Sequence, residues 1–176
     1  MRYAKGHMMQ QESKKLLILG AGQYGMVAKE IAEATGDYAV IAYLDDKHAA
    51  AVGNLQDFEK FRDVYTHAVV AIGNAILRLE LLDKLEKTGY KIATLIHPAA
   101  YVSPSAVIEC GSFIEPMAII HTDAVIGRGC IISAGTIVNH NSEIGSGCHL
   151  NCGTIVASNC VVQSQTKTQY GTMILG

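Results

Sequence analysis

Two repeating patterns of different period predict a two-part fold: a small α/β unit with a parallel sheet, then a coil of short strands built from six-residue repeats. Between Lys15 and about Ile96, apolar runs alternate with helical stretches. From Val102 onward, a six-residue period takes over and holds to the end of the chain. Composition agrees with both. The 176 residues are 49% hydrophobic, enough for a core, yet only 6% are aromatic, none is Trp and 17 are Gly. An interior of aliphatic and small side chains with many tight turns suits short strands and sharp corners.

In the first pattern, residues 16–19 read as a buried strand, 25–34 as a helix and 38–44 as a second strand. A helix is expected over 55–61 and a third strand over 68–72. Ile76, Leu77, Leu81, Leu82 and Leu85 then give a helical stripe over 76–88, followed by a fourth strand over 91–96. Strands that alternate with helices imply parallel pairing with both faces covered.

The second pattern is stricter. Stepping by six from Val102 to Ile174 gives thirteen positions, of which twelve are aliphatic and one, Thr168, is not. Four residues after each of the first twelve lies a small residue, from Ala106 to Thr172. One branched aliphatic and one small inward residue per hexad make a short strand and a corner too tight for large side chains.

Gly20-Ala21-Gly22-Gln23-Tyr24-Gly25 follows the first strand and opens a helix, the setting in which a G-x-G-x-x-G loop lets backbone amides approach a phosphate. Asp45-Asp46 ends the second strand, where a ribose or base can be read. A nicotinamide-dependent dehydrogenase is the obvious reading of such a loop. The α/β part is too short for a two-half dinucleotide fold, and a β-coil is the wrong partner domain.

The hexads resemble those of the hexapeptide-repeat acyltransferases, whose chain winds into a left-handed parallel β-helix of eighteen residues per triangular coil; about four coils would fit here. The order of motifs is more specific. The glycine loop, Tyr43-Leu44-Asp45-Asp46, Ala71-Ile72-Gly73-Asn74 with Arg78, Leu95-Ile96-His97-Pro98 and Val138-Asn139-His140-Asn141 together resemble the sialic acid O-acetyltransferase and UDP-amino-sugar N-acetyltransferase family. The resemblance runs from about Leu16 to Val162. It implies a Rossmann-like nucleotide-sugar-binding domain over 14–98 and a β-helix acyltransferase domain over 99–176, with acetyl-CoA as acyl donor bound between subunits of a homotrimer.

By the same resemblance, Gly22, Gln23, Tyr24, Asp45, Asp46, Gly73 and Asn74 would hold the nucleotide sugar, and His140 would be the catalytic base. Acyl transfer from a thioester needs a base for the proton of the attacking amine or hydroxyl, and a neutral His suits that work. On eighteen-residue spacing, His121 stacks under Asn139 and Asp123 under Asn141, so Asp123 or Glu143 is the expected partner that orients His140. His149 lies on another face, resembles a residue near the acetyl group, and is expected to reach the site across a subunit boundary. The implied activity is acetylation of a nucleotide-linked amino sugar or sialic-acid-like sugar in surface glycan synthesis. A sugar-nucleotide-binding protein with a degenerate transferase domain, and an acetyltransferase for another small acceptor, are the rival readings.

Residues one before each aliphatic position should point outward and sort into three faces. They are Val107, Val125, Glu143 and Val161; Phe113, Ile131, His149 and Lys167; and Ile119, Ile137, Ile155 and Met173. The last is wholly apolar and is the expected subunit contact. Two departures from the family stand out. Gln23-Tyr24 replaces the usual Gly-His, and the chain stops at Gly176 without the family's further coils and closing Gly-x-Pro-Ala segment, so a truncated chain or a minimal coenzyme site is expected.

Other classes are disfavoured. A formal net charge of −2, from 14 Lys plus Arg and 16 Asp plus Glu, offers no field for nucleic acid. The five cysteines include no C-x-x-C pair; Cys130, Cys148 and Cys160 fall in the small inward column, and Cys110 and Cys152 at corners. The histidines at 97, 121, 140 and 149 lack the spacing of β-helical carbonic anhydrases, so no metal site is expected, and His97 reads as a linker residue before Pro98. No apolar run is long enough to span a bilayer and no secretory h-region opens the chain, which points to a cytoplasmic protein. Residues 1–8, with Gly6-His7-Met8, read as a tag remnant.

Overall fold

The computed structural model describes residues 14–176; the expected tag remnant lies outside them. The first unit comprises β1 (Lys14–Leu19), α1 (Gln23–Thr35), β2 (Tyr38–Leu44), β3 (Ala51–Gly53), a 3-10 turn (Leu55–Phe61), β4 (His67–Val70), α2 (Ala75–Lys87) and β5 (Lys91–Ile92). The sheet is parallel in the order β3-β2-β1-β4-β5, so the chain reverses its direction of travel between β1 and β4. Ligands of open α/β sheets bind at such a switch point, beyond the carboxyl ends of the strands. Leu16, Leu17, Ile18 and Leu19 are all fully buried because helices cover both faces of β1.

The α1 helix begins two residues earlier than its hydrophobic pattern suggests, which brings Gln23 and Tyr24 into its first turn. Gly25, Ala28, Ile31 and Ala32 form its buried stripe. It ends at Gly36, whose left-handed φ of 69° closes the last turn with a backbone bond to Glu33. In α2, the Asn74 side chain caps the helix by accepting from the Leu77 N–H at 3.0 Å.

The expected strand over 91–96 divides. Lys91–Ile92 completes the α/β sheet, whereas Leu95–Ile96 pairs with Phe113–Ile114 and is the first rung of the coil. The hand-over is visible in the backbone: Ala93 N–H donates to Ala68 O, and Leu95 N–H to Ser112 O. The chain thus leaves one sheet for the other within two residues, and the six-residue period begins one repeat before Val102. The short β3 was not expected; three residues show no usable period.

The coil is a three-sided parallel β-helix. One face stacks the rungs Tyr101–Val102, Ile119–Ile120, Ile137–Val138, Ile155–Val156 and Met173–Ile174, each eighteen residues above the last. A second stacks Val107–Ile108, Val125–Ile126, Glu143–Ile144 and Val161–Val162, and the third Leu95–Ile96, Phe113–Ile114, Ile131–Ile132 and His149–Leu150. The aliphatic column and the small column, including Cys130, Cys148 and Cys160, form one buried core. Thr168 is also buried, and its hydroxyl lies 2.9 Å from that of Thr154 and accepts from the Asn151 N–H. A polar side chain is accepted inside because it has partners there.

The third face is not free. Phe113 and Ile131, expected to point outward, do so into the α/β unit and share a buried cluster with Ile18, Ala28 and Ile31. Corner glycines Gly111, Gly129 and Gly147 stack at eighteen-residue spacing with φ of 78°, 64° and 73°. A Cβ on them would lie 2.7 Å, 2.9 Å and 3.0 Å from Leu82 or Leu79, so α2 rests directly on this column.

Arg78 fastens the two units. Fully buried, it donates from Nε to Gly129 O at 2.7 Å, from Nη2 to Gly147 O at 2.8 Å, and from Nη1 to Ile72 O at 2.7 Å and Gly73 O at 3.2 Å. Arg78→Met would leave these acceptors without their donor, and urea unfolding should show a loss of about 3 kcal/mol.

Candidate active site

The glycine loop is shaped by contact on both sides. Gly20 has a φ of 101°, and a Cβ there would lie 2.9 Å from Ala71 O. A Cβ on Gly25 would fall 2.2 Å from Gly20 O, so the third glycine is required by the approach of α1 to the loop. Gly22 meets nothing within 4 Å and stays open to a ligand, as does Gly73 across the switch point.

The Asp45 carboxylate ties the loop to the end of β2. Oδ2 accepts from Ala21 N–H at 2.9 Å, and Oδ1 from Lys47 and His48 N–H at 2.9 and 3.0 Å. These bonds, the one from Ala21 foremost, hold its pKa below the usual carboxylate value. Asp46 accepts from Leu55 N–H at 2.9 Å. Both residues therefore shape the loop, while exposed Asp46 keeps acceptor capacity toward a ligand.

Tyr24 turns inward. Its ring packs edge-on against Phe113 at 5.3 Å between centroids and lies 6.3 Å from the His149 ring. Its hydroxyl is shielded from solvent, and burial together with the Glu115 carboxylate raises its pKa well above the ordinary tyrosine value. Glu115 is itself buried, accepts from Ala134 N–H at 3.0 Å and has a raised pKa because of that burial.

His149 stands at the top of the third face. Its Nε2 is 3.4 Å from Ser133 Oγ, and its Nδ1 is shielded without a partner among the described residues. Burial, then the positive charges of Lys167 and Arg78, push its pKa down to about 4. It lines a cleft of about 270 Å³ with Gly73, Asn74, Gln165 and Lys167. The expected site residues Gly73, Asn74 and His149 thus line one cleft within a single chain.

His140 lies elsewhere, exposed at the corner between the first and second faces. Nδ1 is 2.9 Å from Asn141 Oδ1, and Nε2 is 2.9 Å from Ser158 Oγ. Neither Asp123 nor Glu143 hydrogen-bonds to it among the described residues. The backbone N–H of Asp123 donates to Ser105 Oγ, and Glu143 sits exposed in its rung. The partner lies one coil ahead of His140, at Ser158, and not one coil behind; the same eighteen-residue spacing points to it. Glu115 and Ser133 carried no sequence signal beyond being polar beside an inward aliphatic position.

A parallel α/β unit with open loops at its switch point, locked to a three-sided hexad coil, is an architecture this chain shares with solved acetyltransferases, and its coil is a left-handed parallel β-helix. Residues 15–85 match the PglD N-terminal domain, and residues 105–140 match the bacterial transferase hexapeptide repeats. Over 108 residues the chain is 32% identical to UDP-N-acetylbacillosamine N-acetyltransferase of Bacillus subtilis (strain 168), a match that covers 56% of this chain and half the length of that relative.

The solved structures cover more of the chain. The acetyltransferase domain of PglB from Neisseria gonorrhoeae FA1090 superposes with a TM-score of 0.84 at 27% identity, covering 93% of this chain and 92% of that one. The same domain in complex with acetyl coenzyme A gives 0.82 at 26% identity over 92% and 93%. A His-to-Ala variant of GDP-perosamine N-acetyltransferase from Caulobacter crescentus, holding CoA and GDP-perosamine, gives 0.80 at 25% identity over 92% and 88%.

The depressed pKa of His149 sets a pH dependence. The unfolded imidazole, with a pKa near 6.5, binds a proton that the folded one refuses until about pH 4. Stability contributed by neutral His149 is therefore full above about pH 6.5 and is lost as pH falls through that window. Denaturant midpoints measured from pH 7 to pH 4 should decline, and His149→Gln should flatten that decline.

Proposed function

We propose that this protein is an acetyl-CoA-dependent acetyltransferase whose acceptor is a nucleotide-linked amino sugar or a sialic-acid-like sugar, working in the cytoplasm in surface glycan synthesis. One observation carries the reading: Gly73 and Asn74 beyond β4 share a cleft with His149, and Tyr24 beyond β1 packs beside it, so a nucleotide held at the switch point extends its sugar toward the β-helix. Gly22, Gln23, Tyr24, Asp45, Asp46, Gly73 and Asn74 form the nucleotide-sugar site, with Tyr24 acting from beneath through its packing on Phe113. His149 lies near the acetyl group of the coenzyme.

His140 is the general base. It removes the acceptor's proton as the amine or hydroxyl attacks the thioester carbonyl, and Asp123 and Glu143 supply negative charge around the imidazolium that forms. Because His140 and the His149 cleft occupy different corners, the complete site takes His140 from a second copy. The coil face of Tyr101, Ile119, Ile137, Ile155 and Met173 suits that contact: Tyr101 is 54% exposed and Met173 62%. A homotrimer is the assembly proposed.

Radiolabelled acetyl-CoA offered with a panel of UDP- and GDP-linked amino sugars and free sialic acid tests this. At least one acceptor should be labelled, and His140→Ala should lower its turnover by about a hundredfold or more. Turnover that survives the substitution removes His140 from the mechanism. Binding of a nucleotide sugar without any turnover would instead identify a sugar-nucleotide-binding protein.

A further inference from the structure

His140 is exposed, yet both of its ring nitrogens are engaged, and the two contacts together specify a proton arrangement. A neutral imidazole carries one N–H and one lone pair. The amide oxygen of Asn141, 2.9 Å from Nδ1, can only accept, so Nδ1 bears the hydrogen. Nε2 then holds the lone pair, and the Ser158 hydroxyl at 2.9 Å donates to it.

The backbone fixes both partners. Asn141 occupies a corner with a φ of 60°, a conformation Asn tolerates better than most residues, and its N–H is tied to Thr122 O at 3.0 Å. Ser158 is eighteen residues above His140 in the coil, and the neighbouring Asn159 N–H donates to His140 O at 3.2 Å. The histidine is held between its own turn and the next.

We propose that Ser158 positions His140 and carries the acceptor's proton to it: with Asn141 it holds the ring as the Nδ1–H form, with the Nε2 lone pair turned to the Ser158 hydroxyl. The proposal rests on the reading of His140 as the general base. As the acceptor attacks, its nitrogen or oxygen bonds to the thioester carbon, the carbon–sulfur bond breaks, and the acceptor's proton passes to the Ser158 oxygen as the Ser158 hydroxyl proton moves to Nε2. The Ser158 hydroxyl, now holding the acceptor's proton, turns from donor to acceptor and takes a hydrogen bond from the new Nε2–H. The imidazolium finally returns its proton to the departing thiolate. One hydroxyl can thus serve both protonation states, which a fixed donor or a fixed acceptor cannot.

The test combines the ring's tautomer with kinetics. Long-range proton–nitrogen NMR should show His140 of the wild-type protein as the Nδ1–H form. In Ser158→Ala, the Nε2–H form should grow and kcat should fall about tenfold or more, with the KM for the nucleotide sugar unchanged, while Ser158→Thr, which keeps the hydroxyl, restores both. Asn141→Gly, which suits the left-handed corner, should disturb the tautomer in the same direction. A wild-type ring in the Nε2–H form overturns the proposal, as does a Ser158→Ala protein with unchanged tautomer and kcat. If the tautomer responds as described but no acceptor is acetylated by any form, the transferase reading fails and the positioning of His140 by Ser158 stands.

Discussion

A single buried guanidinium sets the geometry on which the molecule depends. Arg78 projects from α2 with no carboxylate partner among the described residues, and its charge is met by four carbonyl oxygens. Two belong to coil corners eighteen residues apart and two to the Ile72–Gly73 segment, so one side chain fixes the distance between the coil and the loop beyond β4. Burial lowers its pKa, yet a guanidinium stays charged at any physiological pH. A planar fork of donors can reach carbonyls in several directions at once; a lysine ammonium on its flexible stem cannot. The contact is possible because Gly129 and Gly147 have no side chains to hold α2 away.

The same economy runs through the coil. Each hexad contributes one branched aliphatic residue and one small residue to the interior, and three of the small positions are cysteines. Cys130 Sγ donates to Gly145 O at 3.2 Å and Cys148 Sγ to Gln163 O at 3.1 Å, so these thiols act as small core residues with a weak donor. The polar exception at Thr168 follows the same rule, since Thr154 and Asn151 meet its hydroxyl. Low aromatic content is therefore a consequence of the coil's cross-section.

What the sequence could reveal follows from the range of each interaction. The period-six column and the eighteen-residue stacking were legible because they repeat, and the glycine loop because Gly20 and Gly25 answer a local steric need. The Tyr38–Leu44 strand was legible from its apolar run. Less legible were features set by one domain against the other. Phe113 and Ile131 sit in the outward column like their neighbours, and nothing in the hexad tells that α1 covers them. Arg78 belonged to a recognised motif order, but its carbonyl partners lie 51 and 69 residues away in the chain. The joining of His149 to Asn74 depends on that same docking. The partners of His140 were half legible: coil arithmetic reaches both the rung below and the rung above, and only the coordinates show that the ring turns upward.

The division of the coil's three faces has a consequence for the chemistry. One face is covered by the α/β unit, which leaves the His149 cleft at its upper edge. A second is an apolar stripe from Tyr101 to Met173, and His140 lies at the corner beyond that stripe. The two histidines also differ electrostatically. His149, buried near Lys167 and Arg78, resists protonation. His140 is exposed and held by neutral partners, an amide oxygen and a hydroxyl, that can follow a change in its charge. The fold thus places one histidine against the domain interface and the other, with two hydrogen-bonding partners, at an open corner.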